Sequence, residues 1–409
     1  MIAHTTDGPP GKGLHPPGVD SRASTNVLLV VPWDDTRGGV ISVVDNLARQ
    51  LQAAGHSALF FHSAGTILKD HSTKLGFPGV RLRLTLPFGP GVWRGVFRTL
   101  VFPFLFLSTL VQLLWCLRSR RINIVNLHYP HDNHVYFAIC RRLLQFRLVT
   151  SIHGKDAFDR ERPRDRYSWA FRFVLASSDL IILPSDAYRR KLLEAFPHLH
   201  DRTIFIHNGI DPTPFSAAAS ELDCDRRRNG RYLLCVAELK ENKAIDVLLQ
   251  AVSPLLAEDP SLTLVLAGDG PLRAELQDMA SSLGIRSQTM FLGTQGGPEI
   301  ARLMSSCELM VLPSRMEPFG IVLIEAMASR TPIVATNVGG IPEIVDHEIT
   351  GILVEPENPQ ALAAGIQRVL TDHGLRRTLA RNGHSKMMQR FCATHNGAAY
   401  LAAFASMSL

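Results

Sequence analysis

The 409-residue chain contains no C-x-x-C pair, no H-E-x-x-H and no G-x-G-x-x-G after any apolar run. Its six cysteines (Cys116, Cys140, Cys224, Cys235, Cys307, Cys392) are scattered and several lie in apolar stretches, so they read as buried free thiols in a reducing compartment rather than a disulfide framework. Sixteen histidines in no zinc-binding spacing give no reason to expect a metal. The missing dinucleotide fingerprint argues against a dehydrogenase. Residues 1 to 25 are rich in Gly, Pro, Thr and Ser and lack an apolar h-region, so they are expected to be a disordered tail and not a signal peptide, which points to a cytoplasmic protein. A net charge of +6, widely scattered, is too small to argue for nucleic acid. It is compatible with an anionic substrate or an anionic membrane surface.

What is present is alternation. Asn26 to Pro32 is a buried apolar run, followed by a loop carrying Gly38 and Gly39, then by Val40, Val43, Val44, Leu47 and Leu51 on one face of a helix that stops at Gly55. His56 to Phe61, Ile122 to His128, Arg147 to His153 and Asp179 to Pro184 continue as strands with helical segments between them. A second series begins at Tyr232 to Val236, with a helix from about Lys243, then Thr263 to Ala267 and Thr289 to Gly293. The economical reading is parallel α/β, in two domains given the length.

One segment interrupts the pattern. Leu100 to Leu117 has no charged residue in 18 positions, the lower limit for a membrane span. Spanning would place the first strands across the bilayer from later strands of the same sheet, and Pro103 is expected to break its start. A buried core helix, or a helix lying in a membrane interface beside Arg94, Arg98, Arg118, Arg120 and Arg121, remains. The run Lys155, Arg160, Arg162, Arg164, Arg166 adds either attraction for anionic lipid or a solvated face balanced by Asp156, Asp159, Glu161 and Asp165.

Leu309 to Pro342 carries the chemistry. An apolar strand leads into Pro313-Ser314-Arg315-Met316-Glu317-Pro318, a loop because residues before proline leave the helical region. Ile321, Ile324 and Met327 then recur at helical spacing, and Ile333 to Ala335 reads as the next strand before the Gly339-Gly340 loop. The free N–H groups from Phe319 to Ile321 open the helix, beyond the carboxyl end of a strand, where an anion belongs. Glu317 and Glu325 flank them, placed to hold separate parts of one ligand.

This stretch resembles the donor-binding segment of the large retaining GT-B glycosyltransferase family 4 (glycosyl transferases group 1). Glu317 and Glu325 meet its E-x7-E pattern, within PS-x-x-EPFG and P-x-V-A-x-x-x-GG-x-P-E-x-V. Outside it, His153-Gly154-Lys155-Asp156 matches an HG-x-D element, His207-Asn208-Gly209-Ile210-Asp211 an NG-[VI]-D hinge element, and Phe391 with Tyr400 the last helix. The resemblance covers roughly residues 26 to 405 with departures: the G-R-L-x-x-x-K-G pattern reads Ala237-Glu238-Leu239-Lys240-Glu241-Asn242-Lys243-Ala244, so Glu238 stands where it has arginine although Lys243 keeps the lysine, and the tryptophan usual after the last-helix aromatic is missing.

The resemblance implies a GT-B fold, two Rossmann-like doubly wound domains facing across a cleft: 26–212 for the acceptor, a linker over 213–230, 231–385 for the nucleotide-sugar, and a helix over 386–409 crossing back. It implies that Glu317 holds the donor sugar, Lys243 and the amides of Phe319, Gly320 and Ile321 the diphosphate, and Glu325 the ribose. His153 then lies beside the sugar, and Gly38 and Gly39 let backbone approach the phosphates and acceptor. The expected activity is retaining hexosyl transfer from a UDP- or GDP-linked sugar, with no separate cofactor and no metal, to a glycan or lipid-linked acceptor of cell-surface polysaccharide or glycolipid synthesis. A sugar-nucleotide epimerase or a silent sugar-nucleotide-binding protein of the same fold is the alternative.

Overall fold

A computed structural model of the chain describes residues 24–31, 39–63, 69–73, 76–84, 92–154, 168–216 and 230–407. Residues 1–23 of the expected tail, the loop up to Gly38, the basic run from Lys155 and residues 217–229 of the expected linker lie outside the described residues.

The first apolar series forms one eight-stranded sheet. Its strands are β1 (Asn26–Val31), β2 (Ser57–His62), β3 (Lys69–Ser72), β4 (Pro78–Arg81), β5 (Ile124–His128), β6 (Arg147–Ser151), β7 (Leu180–Leu183) and β8 (Thr203–Phe205). They lie in the order β3-β4-β2-β1-β5-β6-β7-β8. All neighbours are parallel except β3 and β4. β3, KDHS, is a polar edge strand, and it escapes a reading based on apolar periodicity. The second series is β9 (Arg231–Val236), β10 (Leu262–Ala267), β11 (Thr289–Gly293), β12 (Leu309–Leu312), β13 (Ile333–Thr336) and β14 (Ile352–Val354), ordered β11-β10-β9-β12-β13-β14 and wholly parallel.

Side chains alternate across each second-lobe strand into two cores. Leu234, Met310 and Leu312 face one, while Leu233, Cys235, Leu309 and Val311 face the other, so the sheet is covered on both sides as a parallel sheet requires. Each sheet reverses its strand order once, between β1 and β5 in the first lobe and between β9 and β12 in the second. In doubly wound sheets the crevice at such a reversal, outside the carboxyl ends of the strands, is where ligands bind. The loops after β9 and β12 carry Lys243 and Glu317.

The chain returns to the first lobe at its end. Helix His373–Arg390 packs its Met387 and Leu379 in the second lobe, and the chain then passes through the turn at Phe391 and Cys392. Helix Ala393–Ser406 then places Tyr400 and Phe404 in the first lobe's core with Val27, Leu29, Val44 and Leu47. Burial of each such aromatic stabilises the association by about 1.5–3 kcal/mol. The long apolar segment also differs from expectation. It belongs to a helix running from Val92 to Ser119 straight through Pro103, whose exposed position spares the core any disruption from the lost N–H. One face of that helix is in the core and the opposite face is not, so it is not a fully buried core helix. The five cysteines within the described residues are all buried free thiols.

Candidate active site

The site forms where two second-lobe loops meet at the strand reversal. After β12, Pro313 to Gly320 stays extended or turned until Gly320, in a left-handed conformation at φ +106°, starts helix Ile321–Ala328. Among the described residues the amides of Phe319, Gly320 and Ile321 donate no hydrogen bond. The helix thus presents unpaired N–H groups at its positive end. After β9, a tight turn over Glu241–Lys243 delivers Lys243, followed by Ala244 at φ +51° where the family pattern has glycine.

Glu317 and Lys243 meet there. Lys243 Nζ donates to Glu317 Oε2 at 2.6 Å, and Ser314 Oγ donates to the same oxygen at 3.4 Å. Glu317 is only 6% exposed. Glu317 and Lys243, expected to serve different parts of a ligand, are therefore first partners of each other. An ammonium has three donors, so Lys243 can hold Glu317 and still face an anion. Arg315 fixes their geometry: its guanidinium grips Asp246 at 2.9 and 2.6 Å, donates to the Glu241 carbonyl at 2.6 Å and pairs with Glu357. This straps the β12 loop to the β9 loop, and the Arg315 charge holds the Asp246 carboxyl below its usual range against the opposing pull of burial.

Glu325, one turn into the helix, is different. It is partly buried with no ion pair or side-chain hydrogen bond among the described residues, and burial pushes its pKa up to about 7. A carboxylate kept out of water without a partner is one that a ligand hydroxyl can satisfy. Glu238, the family's arginine position, is half exposed and its charge is matched by Lys240.

The first lobe closes over the β12 loop. Ser185 Oγ, at the N-terminus of helix Asp186–Ala195, donates to the Pro318 carbonyl at 2.7 Å. Glu343 accepts from the Asp186 and Ala187 amides at 3.0 and 2.8 Å and from His207 Nε2 at 2.8 Å. Burial alone would raise the Glu343 pKa, but these three bonds hold it below its usual value. Tyr188 comes near Glu317 from the same helix; burial first and that carboxylate second keep its phenol protonated far above the usual range. Glycine is needed once for this approach and once within the second lobe. A Cβ on Gly154, at φ +128°, would lie 2.2 Å from Pro318 Cγ, and one on Gly339, at φ +55°, would lie 2.1 Å from the Glu317 carbonyl. Phe319 turns its ring inward against His207 and Phe391, centroids 5.6 and 6.0 Å away, so the side chain anchors the loop while the backbone stays toward the ligand side.

His153 follows β6 and meets His128, the last residue of β5, with Nε2 3.1 Å from His128 Nδ1. Burial lowers the pKa of His153 to about 4 and lowers that of His128 well below normal, with His153 adding repulsion, so both rings are neutral at pH 7. His128 Nε2 is buried without a partner. A buried lone pair is less costly than a buried orphan N–H, which places the proton on His128 Nδ1 and makes it the donor to His153 Nε2. Gly38 lies outside the described residues, while Gly39 opens helix Gly39–Ala53 after β1.

Lys243, Glu317, Phe319, Gly320, Ile321 and Glu325 are thus gathered at one strand reversal, with His153 on the facing lobe. His128, Ser185 and Glu343 were not singled out from sequence. His128 was open to discovery, because it ends the strand before the one that leads to His153 and neighbouring parallel strands bring their carboxyl ends together; Ser185 and Glu343 act across a lobe boundary that has no sequence period.

Two doubly wound lobes with a charged pair and open amides at the reversal of one sheet put the candidate site where doubly wound folds bind their ligands. The profile of Glycosyl transferases group 1 matches residues 225–386, and that of Glycosyltransferase Family 4 matches residues 37–213. An uncharacterized glycosyltransferase of Methanocaldococcus jannaschii is 30% identical over 65% of this chain and 71% of its own length. The chain belongs to glycosyltransferase family 4, with the GT-B fold. It spans about half the length of other relatives, such as 53% of the D-inositol 3-phosphate glycosyltransferase of Saccharomonospora viridis, to which it is 32% identical over 53% of itself. In fold it is similar to Anabaena HepE, solved with UDP and glucose, at TM-score 0.73 and 21% identity over 93% of this chain and 99% of that one. Sucrose-phosphate synthase of Thermosynechococcus elongatus gives 0.71 and 22% over 93% and 100%.

Proposed function

We propose that the protein transfers a hexosyl unit from a nucleotide-sugar, UDP- or GDP-linked, to a glycan or lipid-linked acceptor with retention of configuration. The observation that carries this reading is the Lys243–Glu317 pair beneath the unpaired amides of Phe319 to Ile321. The amides and Lys243 receive the diphosphate, whose charge grows as the C1–O bond to the sugar breaks, and fixed donors aimed at developing charge are an effective form of catalysis. Glu317 accepts from hydroxyls of the donor sugar. Glu325 accepts from the ribose. His153, neutral and oriented by His128, meets the sugar from the acceptor side. The acceptor hydroxyl forms its bond to C1 on the face that the phosphate leaves, and its proton passes to the departing phosphate oxygen, so no separate base is required.

The relatives support a glycosyltransferase, and a similar fold is solved with UDP and glucose in Anabaena HepE. A thermal-shift panel of UDP-, GDP- and ADP-sugars identifies the donor, since ligand at about 100 times its dissociation constant adds about 2.7 kcal/mol. With that donor, Glu317→Gln is expected to lower the transfer rate about 10²- to 10³-fold, the usual effect of losing one transition-state contact. A normal rate in that variant removes Glu317 from the mechanism.

A further inference from the structure

Helix Val92–Ser119 is apolar on two opposite sides. Inward, Leu113, Cys116 and Leu117 are buried in the first lobe's core, and the Phe106 ring lies 4.8 Å from that of Tyr136. Outward, Phe104, Leu107, Val111 and Trp115 follow one another at spacings of three and four, which puts them in a single stripe. They are 76%, 59%, 56% and 61% exposed. A surface helix of a water-soluble domain turns polar residues to that side. The charge carried by the helix segment itself has one sign: from 92 to 121 there are five arginines and no acidic residue. Arg118 and Arg121 are exposed just past its Trp115 end, and Arg120 lies over the Trp115 ring at 5.8 Å while pairing with Asp70.

We propose that this stripe docks the first lobe onto an anionic lipid bilayer, with Trp115 at headgroup depth and Arg118 and Arg121 against the lipid phosphates. Aromatic-plus-basic flanks beside an apolar helical face are what an interfacial helix presents. The helix lies along the surface and does not span, because its inward face is committed to the core and β4 and β5 on either side of it belong to one sheet. The stripe from Phe104 to Trp115 covers only about 17 Å at 1.5 Å per residue, against a hydrocarbon thickness of about 30 Å. A second copy of the chain fits poorly: a two-fold contact brings each patch against itself, arginine facing arginine with no acid in the segment to pair them. The inference is independent of the transfer reaction, so either can fail alone.

The test is flotation of the full chain with vesicles of phosphatidylcholine alone and of phosphatidylcholine mixed with phosphatidylglycerol. Wild-type protein is expected to float with the mixed vesicles and to be released as salt shortens the Debye length from about 10 Å at 0.1 M to about 3 Å at 1 M. Each exposed arginine is expected to contribute about fivefold to partitioning, so Arg118→Gln/Arg121→Gln weakens it by about 25-fold at low salt. Leu107→Ser/Trp115→Ser removes the apolar anchor and is expected to abolish flotation, while both double variants keep the wild-type circular dichroism spectrum and cooperative thermal unfolding. Equal flotation on neutral vesicles, full binding by Leu107→Ser/Trp115→Ser, or a wild-type dimer in light scattering that this variant dissociates would each overturn the proposal.

Discussion

Among the described residues, the groups the second lobe brings to the site are mostly charged and those of the first mostly neutral, the Asp186 carboxylate being taken up by Arg189 and Arg190. The second contributes a Lys243–Glu317 ion pair, an unpartnered Glu325 and an open helix N-terminus, on loops strapped together by Arg315 and Asp246. The first contributes two histidines stripped of charge by burial, a serine hydroxyl and a phenol held protonated. The difference matches the two partners of the proposed reaction. A diphosphate carries the same charge whatever sugar it bears and demands fixed cations and amides, whereas sugar and acceptor hydroxyls call for neutral hydrogen-bonding groups.

The comparison breaks first at Lys243. It is the cation of a nearly buried pair, so Lys243→Met leaves Glu317 buried without its partner, a change that costs about 3–5 kcal/mol when an ion pair is broken on one side. Transfer should also fall about 10²- to 10³-fold through the lost diphosphate contact. The variant Lys243→Met/Glu317→Gln separates the two effects: chemical denaturation should show stability recovered toward wild type while transfer stays lost. A single variant as stable as wild type would mean the pair is not desolvated and that charge is not what distinguishes this lobe.

That pair also shows what the sequence makes legible. Strand order and the spacing of Glu317, Glu325 and the helix start are written in short periods of apolar residues, and the β9 and β12 loops converge because a parallel sheet puts every strand's carboxyl end on one edge. Even the departure at Glu238 is readable, though its compensation by Lys240 two residues on is not, because ion-pair partners obey no period in a loop. Hidden from sequence are contacts whose partners are far apart in the chain, such as Ser185 with Pro318 and Glu343 with two amides and His207. So too is the Val92–Ser119 helix, whose composition is the same whether it is covered or exposed.

Glu325 sharpens the comparison through pH. Its folded pKa of about 7 is above the unfolded value of 4.5, so the neutral acid is the comfortable form. Stability from this group is complete below the unfolded value and is lost as pH rises through about 7, on the order of 3 kcal/mol at 1.36 kcal/mol per pH unit. Glu325→Gln should therefore gain stability relative to wild type between pH 5 and pH 8 in ligand-free denaturation. Donor binding moves oppositely: the ribose diol needs the ionised acceptor, so affinity should rise with pH through about 7, and Glu325→Gln should flatten that rise while losing about 10- to 100-fold in affinity at pH 8. A wild-type affinity without that rise would show that Glu325 does not touch the donor.

The smallest expected effect crosses from one lobe to the other. Ser185 contacts no charged group of the site; its hydroxyl holds the Pro318 carbonyl, one residue past Glu317, while its side chain also accepts the Tyr188 amide. Replacing it by alanine removes hydrogen bonds worth about 0.5–1.5 kcal/mol each and leaves the Lys243–Glu317 pair intact. If the first lobe's neutral groups serve to position the second lobe's charged ones, Ser185→Ala should lower kcat about 2- to 12-fold with donor KM nearly unchanged, because the amides and Lys243 still bind the diphosphate. Threonine at the same place keeps the donor and should restore part of the rate. A loss confined to donor KM would instead mean that the seam serves affinity alone, and that the two lobes divide binding from chemistry differently from the way their charges suggest.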